Sequence, residues 1–216
     1  VTRIDSDVGA LVALLKKKGI ADNTLIVFSG DNGASFNPTS KIGKRFNQSM
    51  DGKLRGYKRG MYEGALRQAA FAWGPGMVAA GRVTDEPWAF WDLLPTFAEL
   101  GQAEIPKGFK PDGHSLVKFL KGGAAPKRDY FYWELHERGS IQAIRWDNWK
   151  AVRPKRGGAV ELYNLTDDLG ERKDLAKTHP KLVTKAIEMM NAARTPHPDW
   201  PDPATPPTKK PRGKKK

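Results

Sequence analysis

Thr24-Leu-Ile-Val-Phe-Ser-Gly-Asp31-Asn32-Gly33, followed by Leu54-Arg-Gly-Tyr-Lys58-Arg-Gly-Met-Tyr-Glu63-Gly64, is the stretch on which the fold turns. Thr24–Phe28 is a β-branched, apolar run of strand length, and it delivers an acid and an amide to its C-terminal end. Upstream, Ile4, Val8, Leu11, Val12 and Leu15 recur at helical spacing. Lys16-Lys17-Lys18 fall in the last turn of that helix and Gly19 stops it. Helix, short Ala21-Asp22-Asn23 loop and buried strand make half of a βαβ unit, so the expected fold class is α/β. In open α/β sheets ligands bind beyond the carboxyl ends of strands, and that is where Asp31 and Asn32 fall.

From Gly33 to Lys53 the chain is polar and non-periodic, the signature of a functional or disordered loop. Ala69–Trp73 reads as a second strand ending at Gly74-Pro75-Gly76. Asp92 is placed to N-cap a helix through Leu100, with Pro95 in its first turn and Gly101 at its end. After Gly122-Gly123, the short runs Tyr130–Glu134, Ile141–Arg145, Lys150–Arg153 and Val160–Tyr163 predict a small antiparallel sheet. Leu182, Val183, Ala186, Met189, Met190 and Ala193 mark one helix face, with Pro180 near its start. The Pro-rich segment from Pro196, ending in a lysine run, reads as disordered. The organisation expected is thus an α/β domain over residues 1–125, a β-plus-helix subdomain over 126–195 and a basic tail over 196–216.

The 216 residues, 39% hydrophobic and 28% charged, suffice for one sizeable core with a small satellite. No apolar run approaches a membrane span. The first residue is Val1 and the chain opens directly into a helical pattern, which reads as a cut through a longer protein. There is no cysteine, which excludes internal disulfides, thiolate metal sites and a cysteine nucleophile. The formal net charge of +13 favours anionic partners. The tail's six basic and two acidic residues carry only part of it, and they lack the aromatic interleaving of a base-stacking surface apart from Trp200. No specific nucleic-acid partner is therefore expected.

Asp31 and Asn32 offer a carboxylate and an amide oxygen, a donor pair suited to calcium or magnesium rather than zinc. By itself Asp-Asn-Gly reads first as a turn, and the functional reading needs the preceding strand. Lys58, in a glycine-bracketed loop, can act as a compact point charge against sulfate or phosphate oxygens and against charge developing on a transferring group. By itself the segment reads first as a solvated basic loop.

Read together, the motifs resemble those of the sulfatase family within the alkaline-phosphatase-like superfamily. That family shows Asp-x-x-Val-Gly, Asn-Thr before a strand ending in Ser-Asp-Asn-Gly, a Leu-Arg-Gly-x-Lys…Tyr-Glu-Gly loop, Trp-Pro-Gly, Asp-Leu-Leu-Pro-Thr and Asp-Gly-x-Ser-Leu. Here stand Asp5-Ser-Asp7-Val8-Gly9, Asn23-Thr24, Gly30-Asp31-Asn32-Gly33, Leu54 through Gly64, Trp73-Gly74-Pro75-Gly76, Asp92-Leu-Leu-Pro-Thr96 and Asp112-Gly-His114-Ser-Leu116. Trp149-Lys150 and Glu161-Leu-Tyr-Asn-Leu165 resemble the Trp-Lys and Glu-Leu-Tyr-Asp-Leu of the family's C-terminal subdomain. Each motif is short, but their shared order runs from Ile4 to about Met190. Tyr57, Ala65 and Gln68-Ala69 depart from the family's Gly, second Gly and Val-Pro.

The resemblance implies part of the large mixed-sheet domain followed by a small antiparallel sheet with a helix. It implies that Asp31 and Asn32 are calcium ligands, with magnesium as the alternative ion, and that Lys58 is a catalytic, sulfate-contacting lysine. It also implies a formylglycine nucleophile made from Cys or Ser in Cys/Ser-x-Pro-x-Arg, a motif found nowhere in these residues. This chain alone is therefore expected not to turn over substrate. The implied substrate is a sulfated small molecule or glycan, and the implied location is the periplasm or the exterior. His136, in Trp133-Glu134-Leu-His136-Glu137, is a candidate to read a sugar hydroxyl at the rim, against the simpler reading of a solvated loop histidine. Among the tryptophans, Trp133 and Trp146 are the candidates for ligand contact, and the others read as core. Two further readings are a phosphomonoester, phosphodiester or phosphonate hydrolase of the same superfamily, and a non-catalytic protein that holds polyanions on its basic face.

Overall fold

The computed structural model describes residues 2–37, 39–46, 53–137 and 139–207. In chain order the elements are α1 (Thr2–Lys17), β1 (Ile26–Ser29), α2 (Lys41–Phe46), α3 (Glu63–Leu66), β2 (Ala70–Trp73), α4 (Leu93–Leu100), α5 (Val117–Leu120), β3 (Phe131–Leu135), β4 (Ile141–Trp146), β5 (Trp149–Arg153), β6 (Glu161–Asn164) and α6 (Pro180–Ala193). They form two compact units, Val1–Ser29 with Ala69–Lys127 and Gly30–Gln68 with Arg128–Lys216. The class is α/β. Residues 30–68 group with the later sheet rather than with the first 125 residues, because Met61–Leu66 packs on that sheet.

In the first unit β1 pairs antiparallel with β2, placing Ile26 opposite Trp73 and Phe28 opposite Phe71. The two phenylalanine rings stack with centroids 5.0 Å apart. The predicted helix is present as α1, with Asp5 in its first turn and lysines in its last, as the macrodipole favours. Its burial differs from expectation. No residue of α1 is buried, and Ile4, Leu11 and Leu14 are 50%, 54% and 47% exposed. β1 is half-buried along its length, and its strand partner among the described residues is antiparallel rather than the parallel neighbour of a βαβ unit. An apolar run marks a face that can be covered, not the element that covers it.

Asp92 also does other work than capping. It precedes α4, but its side chain makes no cap bond to that helix. Its buried carboxylate instead accepts the backbone N–H of Ala89 and of His114, each at 2.9 Å. One turn later Thr96 Oγ1 donates to the Asp92 carbonyl at 2.6 Å and accepts the Leu116 N–H at 2.9 Å. Asp92-Leu-Leu-Pro-Thr96 and Asp112-Gly-His-Ser-Leu116 are thus two halves of one staple. Gly113 allows the approach: a Cβ there would lie 2.0 Å from the Trp91 carbonyl oxygen. No helix among the described residues is long and apolar enough to cross a membrane.

In the second unit β3, β4, β5 and β6 form an antiparallel sheet in sequence order. Alternation splits its core in two. Ile144, Ala151 and Leu162 meet Ala186 and Met190 of α6 on one face, while Ala143, Val152 and Tyr163 meet Met61 on the other. Pro180 opens α6 at its first turn, where the missing N–H is not needed. Residues 196–207 differ from the disordered reading. Arg194 Nη2 donates to the Trp200 carbonyl at 3.2 Å, the Gly157 N–H donates to that of Pro203 at 2.8 Å, and Pro203 is buried. Residues 208–216 of the expected tail lie outside the described residues.

The two glycine environments predict opposite effects on thermal unfolding. Gly9 lies inside α1 with open space around it, so Gly9→Ala is expected to stabilise by up to about 1 kcal/mol. Gly113→Ala, driven into the Trp91 carbonyl, is expected to destabilise the first unit by about 2 kcal/mol or more.

Candidate active-site loop

Asp31 and Asn32 follow β1 directly, and the backbone beyond them is locked in place. The Gly33 N–H donates to the Ala65 carbonyl at 2.8 Å and the Ala34 N–H to that of Gly64 at 3.0 Å. The Lys58 N–H in turn donates to the Ala34 carbonyl at 2.7 Å. A Cβ on Gly33 would sit 2.3 Å from the Gly64 carbonyl oxygen, so glycine is required by the closeness of two backbones. Lys58 Nζ lies 3.9 Å from Asp31 Oδ2, and the aspartate side chain is 88% exposed. Asn32 Nδ2 donates to the Gly33 carbonyl at 2.8 Å, which leaves Oδ1 as the atom it can offer a cation. Asp31 and Lys58 are therefore brought together.

The lysine loop hangs on two networks. In the first, Arg55 Nη1 donates to Tyr163 Oη at 2.8 Å and to the Glu171 carbonyl at 2.9 Å, and Nη2 donates to Tyr62 Oη at 3.0 Å. Both tyrosine hydroxyls donate to Glu161 Oε2 at 2.7 Å, and the guanidinium lies over the Tyr62 ring, 3.8 Å from its centroid. Burial, then the carboxylate of Glu161, pushes the titration of both phenols upward.

The second network is buried. Lys150 Nζ, fully inaccessible, sits 2.8 Å from Glu63 Oε1 and 3.0 Å from Glu171 Oε1. Arg67 Nε reaches Glu63 Oε2 at 2.5 Å and Arg145 Nη1 reaches it at 3.5 Å. Glu171 Oε2 accepts the Glu63 N–H at 2.6 Å. Burial pushes the Glu63 carboxyl up, but Lys150, then Arg67 and Arg145, more than offset it and hold the group down at about 2. Burial raises the Glu171 carboxyl, and Lys150 offsets this only in part. Glu63 and Lys150 belong to the Tyr-Glu-Gly and Trp-Lys motifs, and Arg67, Arg145 and Glu171 to neither. The motifs gave no sign that these residues form an ion cluster, and the one available clue was a lysine among the apolar residues Trp149, Ala151 and Val152 of β5.

Oxygen donors from Asp31 and Asn32 fit a hard cation. Among the described residues no group of three or more His, Cys, Asp or Glu is arranged to hold a metal, so these two would be part of a shell. His136 is engaged: Nε2 lies 2.7 Å from Glu134 Oε1, Nδ1 lies 3.1 Å from Ser140 Oγ, and the ring stacks on Trp200 at 5.0 Å. Trp146, a candidate for ligand contact, is buried in the core beneath α6, and Trp133 packs in the opposite core and stacks on Phe131. Both tryptophans serve packing, because the inward face of each strand takes every second residue.

Residues 1–103 match the Sulfatase family model. Mouse (Mus musculus) steryl-sulfatase is 34% identical over 227 residues, spanning 91% of this chain and 36% of that protein. Among solved structures, Ps i-CgsB in complex with k-i-k-neocarrahexaose superposes with a TM-score of 0.73 at 32% identity, over 88% of this chain and 40% of that one. The phosphonate monoester hydrolase of Agrobacterium radiobacter superposes with a TM-score of 0.66 at 25% identity, over 88% and 39%. The chain belongs to the sulfatase family. It spans about a third of the length of the curated relatives it matches.

The buried cluster predicts a specific acid response. The Glu63 value in the folded chain lies below its ordinary 4.5, so its stabilisation is complete above pH 4.5 and is lost as pH falls toward 2. The stability difference between wild type and Glu63→Gln should therefore shrink by on the order of 3 kcal/mol across that window, read by urea unfolding at stepped pH. Lys150→Met, which leaves two carboxylates buried without their shared cation, is expected to cost about 3–5 kcal/mol at neutral pH.

Proposed function

We propose that this chain supplies the sulfate-gripping lysine and part of a calcium site to a sulfatase that hydrolyses an aryl or carbohydrate sulfate. The observation that carries the reading is the Lys58 ammonium beside the exposed Asp31 carboxylate, on two backbone segments locked together, in a chain of this family.

Lys58 would sit against the sulfate oxygens as a point charge and counter the negative charge that builds as the ester bond breaks. Its loop geometry is fixed in advance through Ala34, Arg55 and Glu63, so little reorganisation is needed when the ester arrives. Asp31 and Asn32 would hold calcium, or magnesium, through carboxylate and amide oxygens, with further ligands from outside the described residues. That ion would supply Lewis-acid polarisation and a template for the sulfate oxygens. The nucleophile, expected to be formylglycine, lies outside these 216 residues, which contain neither cysteine nor a Ser-x-Pro-x-Arg. The net charge of +13 favours the approach of an anionic ester. The hexaose-bound neighbour supports a carbohydrate substrate, and the family resemblance supports export to the periplasm or beyond. The phosphonate monoester hydrolase neighbour keeps a phosphonate ester as the second reading.

The test is turnover of 4-nitrophenyl sulfate and of a phenyl phosphonate ester by the intact polypeptide that carries this chain. Lys58→Ala should lower kcat/KM for the sulfate by about 100-fold or more, and Asp31→Asn should raise the calcium concentration needed for half-maximal rate. The isolated 216-residue chain should show no turnover. Undiminished activity of Lys58→Ala would sink the assignment, and a preference for the phosphonate ester would establish the second reading.

A further inference from the structure

Lys58 has a neighbour that the proposed chemistry does not use. Tyr57–Gly60 is a tight turn, closed by the Gly60 N–H donating to the Tyr57 carbonyl at 2.9 Å. Arg59, at its crest, adopts φ +74°, a left-handed conformation that a non-glycine residue rarely takes without support from its surroundings. Its side chain makes an ion pair: Arg59 Nε lies 2.6 Å from Glu137 Oε1. Glu137 comes from the β3–β4 connection, whose adjoining His136 is fastened to Glu134, Ser140 and Trp200. Two consecutive cations thus face two separate carboxylates, Lys58 facing Asp31 and Arg59 facing Glu137.

We propose that Arg59 is a second oxyanion subsite, which takes a further sulfate or a uronate carboxylate carried by the same saccharide whose scissile sulfate Lys58 holds. The inference rests on the proposed role of Lys58. A carboxylate already occupies the guanidinium edge at 2.6 Å, so the geometry suits an oxyanion. Both side chains of the pair are well exposed, 41% and 49%, and an exposed pair of this kind contributes little to stability. A substrate oxyanion can therefore displace Glu137 at small cost. Glu137 then acts as a selectivity element: it covers Arg59 against neutral substrates and yields to charged ones. Because the turn backbone is fixed at Lys58 by the Ala34 carbonyl, both cations spring from set, adjacent positions, and their reach bounds the separation of the two anionic groups a substrate can present.

The test uses the full 216-residue chain and three probes: a monosulfated disaccharide, the same disaccharide with a second sulfate, and the same with a uronate carboxylate instead. Affinities are read by isothermal titration, and folding is checked by circular dichroism. The unaltered chain should bind one or both of the doubly anionic probes at least fivefold more tightly than the monosulfated one, and the two arms show which oxyanion the subsite takes. Arg59→Ala should abolish that ratio while leaving the monosulfated affinity within twofold. Glu137→Gln, which keeps the size of the side chain and removes the competing charge, should raise the ratio about threefold. An unchanged ratio in both variants overturns the subsite. If the unaltered chain binds the doubly anionic probes no better than the monosulfated one, or binds none of them, the subsite is overturned by itself; if Lys58→Ala leaves the monosulfated affinity unchanged, the Lys58 assignment fails and the subsite falls with it.

Discussion

A lysine with no access to solvent holds the second unit together. Lys150 lies between Glu63 and Glu171, which are 87 and 21 residues away in sequence, and its charge is the reason both can be buried. An ammonium and two carboxylates stripped of water lose large hydration energies, and only close pairing with satisfied hydrogen bonds recovers them. Arg67 and Arg145 add positive charge on the Glu63 side, and the Glu63 backbone N–H donates to Glu171 Oε2, while Glu171 Oε1 has, among the described residues, only its ion pair with Lys150. Glu171 is itself held at φ +52° and uses its carbonyl to anchor Arg55. Each member therefore fixes the orientation of another. A cluster of this kind tolerates the loss of a partner poorly, and that intolerance makes it a precise positioning device.

What it positions is a short backbone path. Glu63 is the first residue of α3, and the carbonyls of the next two residues, Gly64 and Ala65, receive the N–H groups of Ala34 and Gly33. The Ala34 carbonyl then fixes Lys58. The sheet of β3 to β6 is thus the scaffold of the lysine loop, reached through Met61, Tyr62 and Glu63 rather than through the strand that precedes Asp31. This explains why Trp149-Lys150 and Glu161-Leu-Tyr163 recur with Leu54-Arg-Gly and Tyr62-Glu-Gly in one motif series. They are the two sides of one interface within the unit.

The strands were legible in the sequence because turn residues and alternating apolar runs report local constraints. Val160–Tyr163 is β6 shifted by one residue, and Ala69–Trp73 is β2 with one residue more at its start. Asp31 and Lys58 were legible as candidates through the order of motifs, and the structure sets them side by side. The Glu63–Lys150–Glu171 cluster was not legible. Its members are separated by as many as 108 residues, and lysine and glutamate are among the residues least often buried. Asp92 misled for the opposite reason: its local context fits an N-cap, and a long-range demand from the His114 N–H overrode it. The segment beyond Pro196 was read from composition, which registers its prolines but not the places that Trp200 and Pro203 find on the fold.

The contrast between the two kinds of ion pair separates scaffold from site. Inside, Lys150 meets its carboxylates at hydrogen-bond distance with no solvent, a geometry that cannot be traded for a ligand. Outside, Lys58 stands 3.9 Å from an aspartate that is almost wholly exposed. At that distance and exposure the attraction is screened and worth little, so neither group is committed to the other. A binding site gains from this arrangement. The backbone is fixed, so ordering it on binding costs little, while the side-chain charges stay available to an incoming anion and cation. The same logic applies one residue on, where Arg59, in an uncommon backbone conformation, pairs with an exposed carboxylate that a stronger or better-placed oxyanion can replace. The buried network thus allows the surface charges to be loosely paired without leaving their positions undefined.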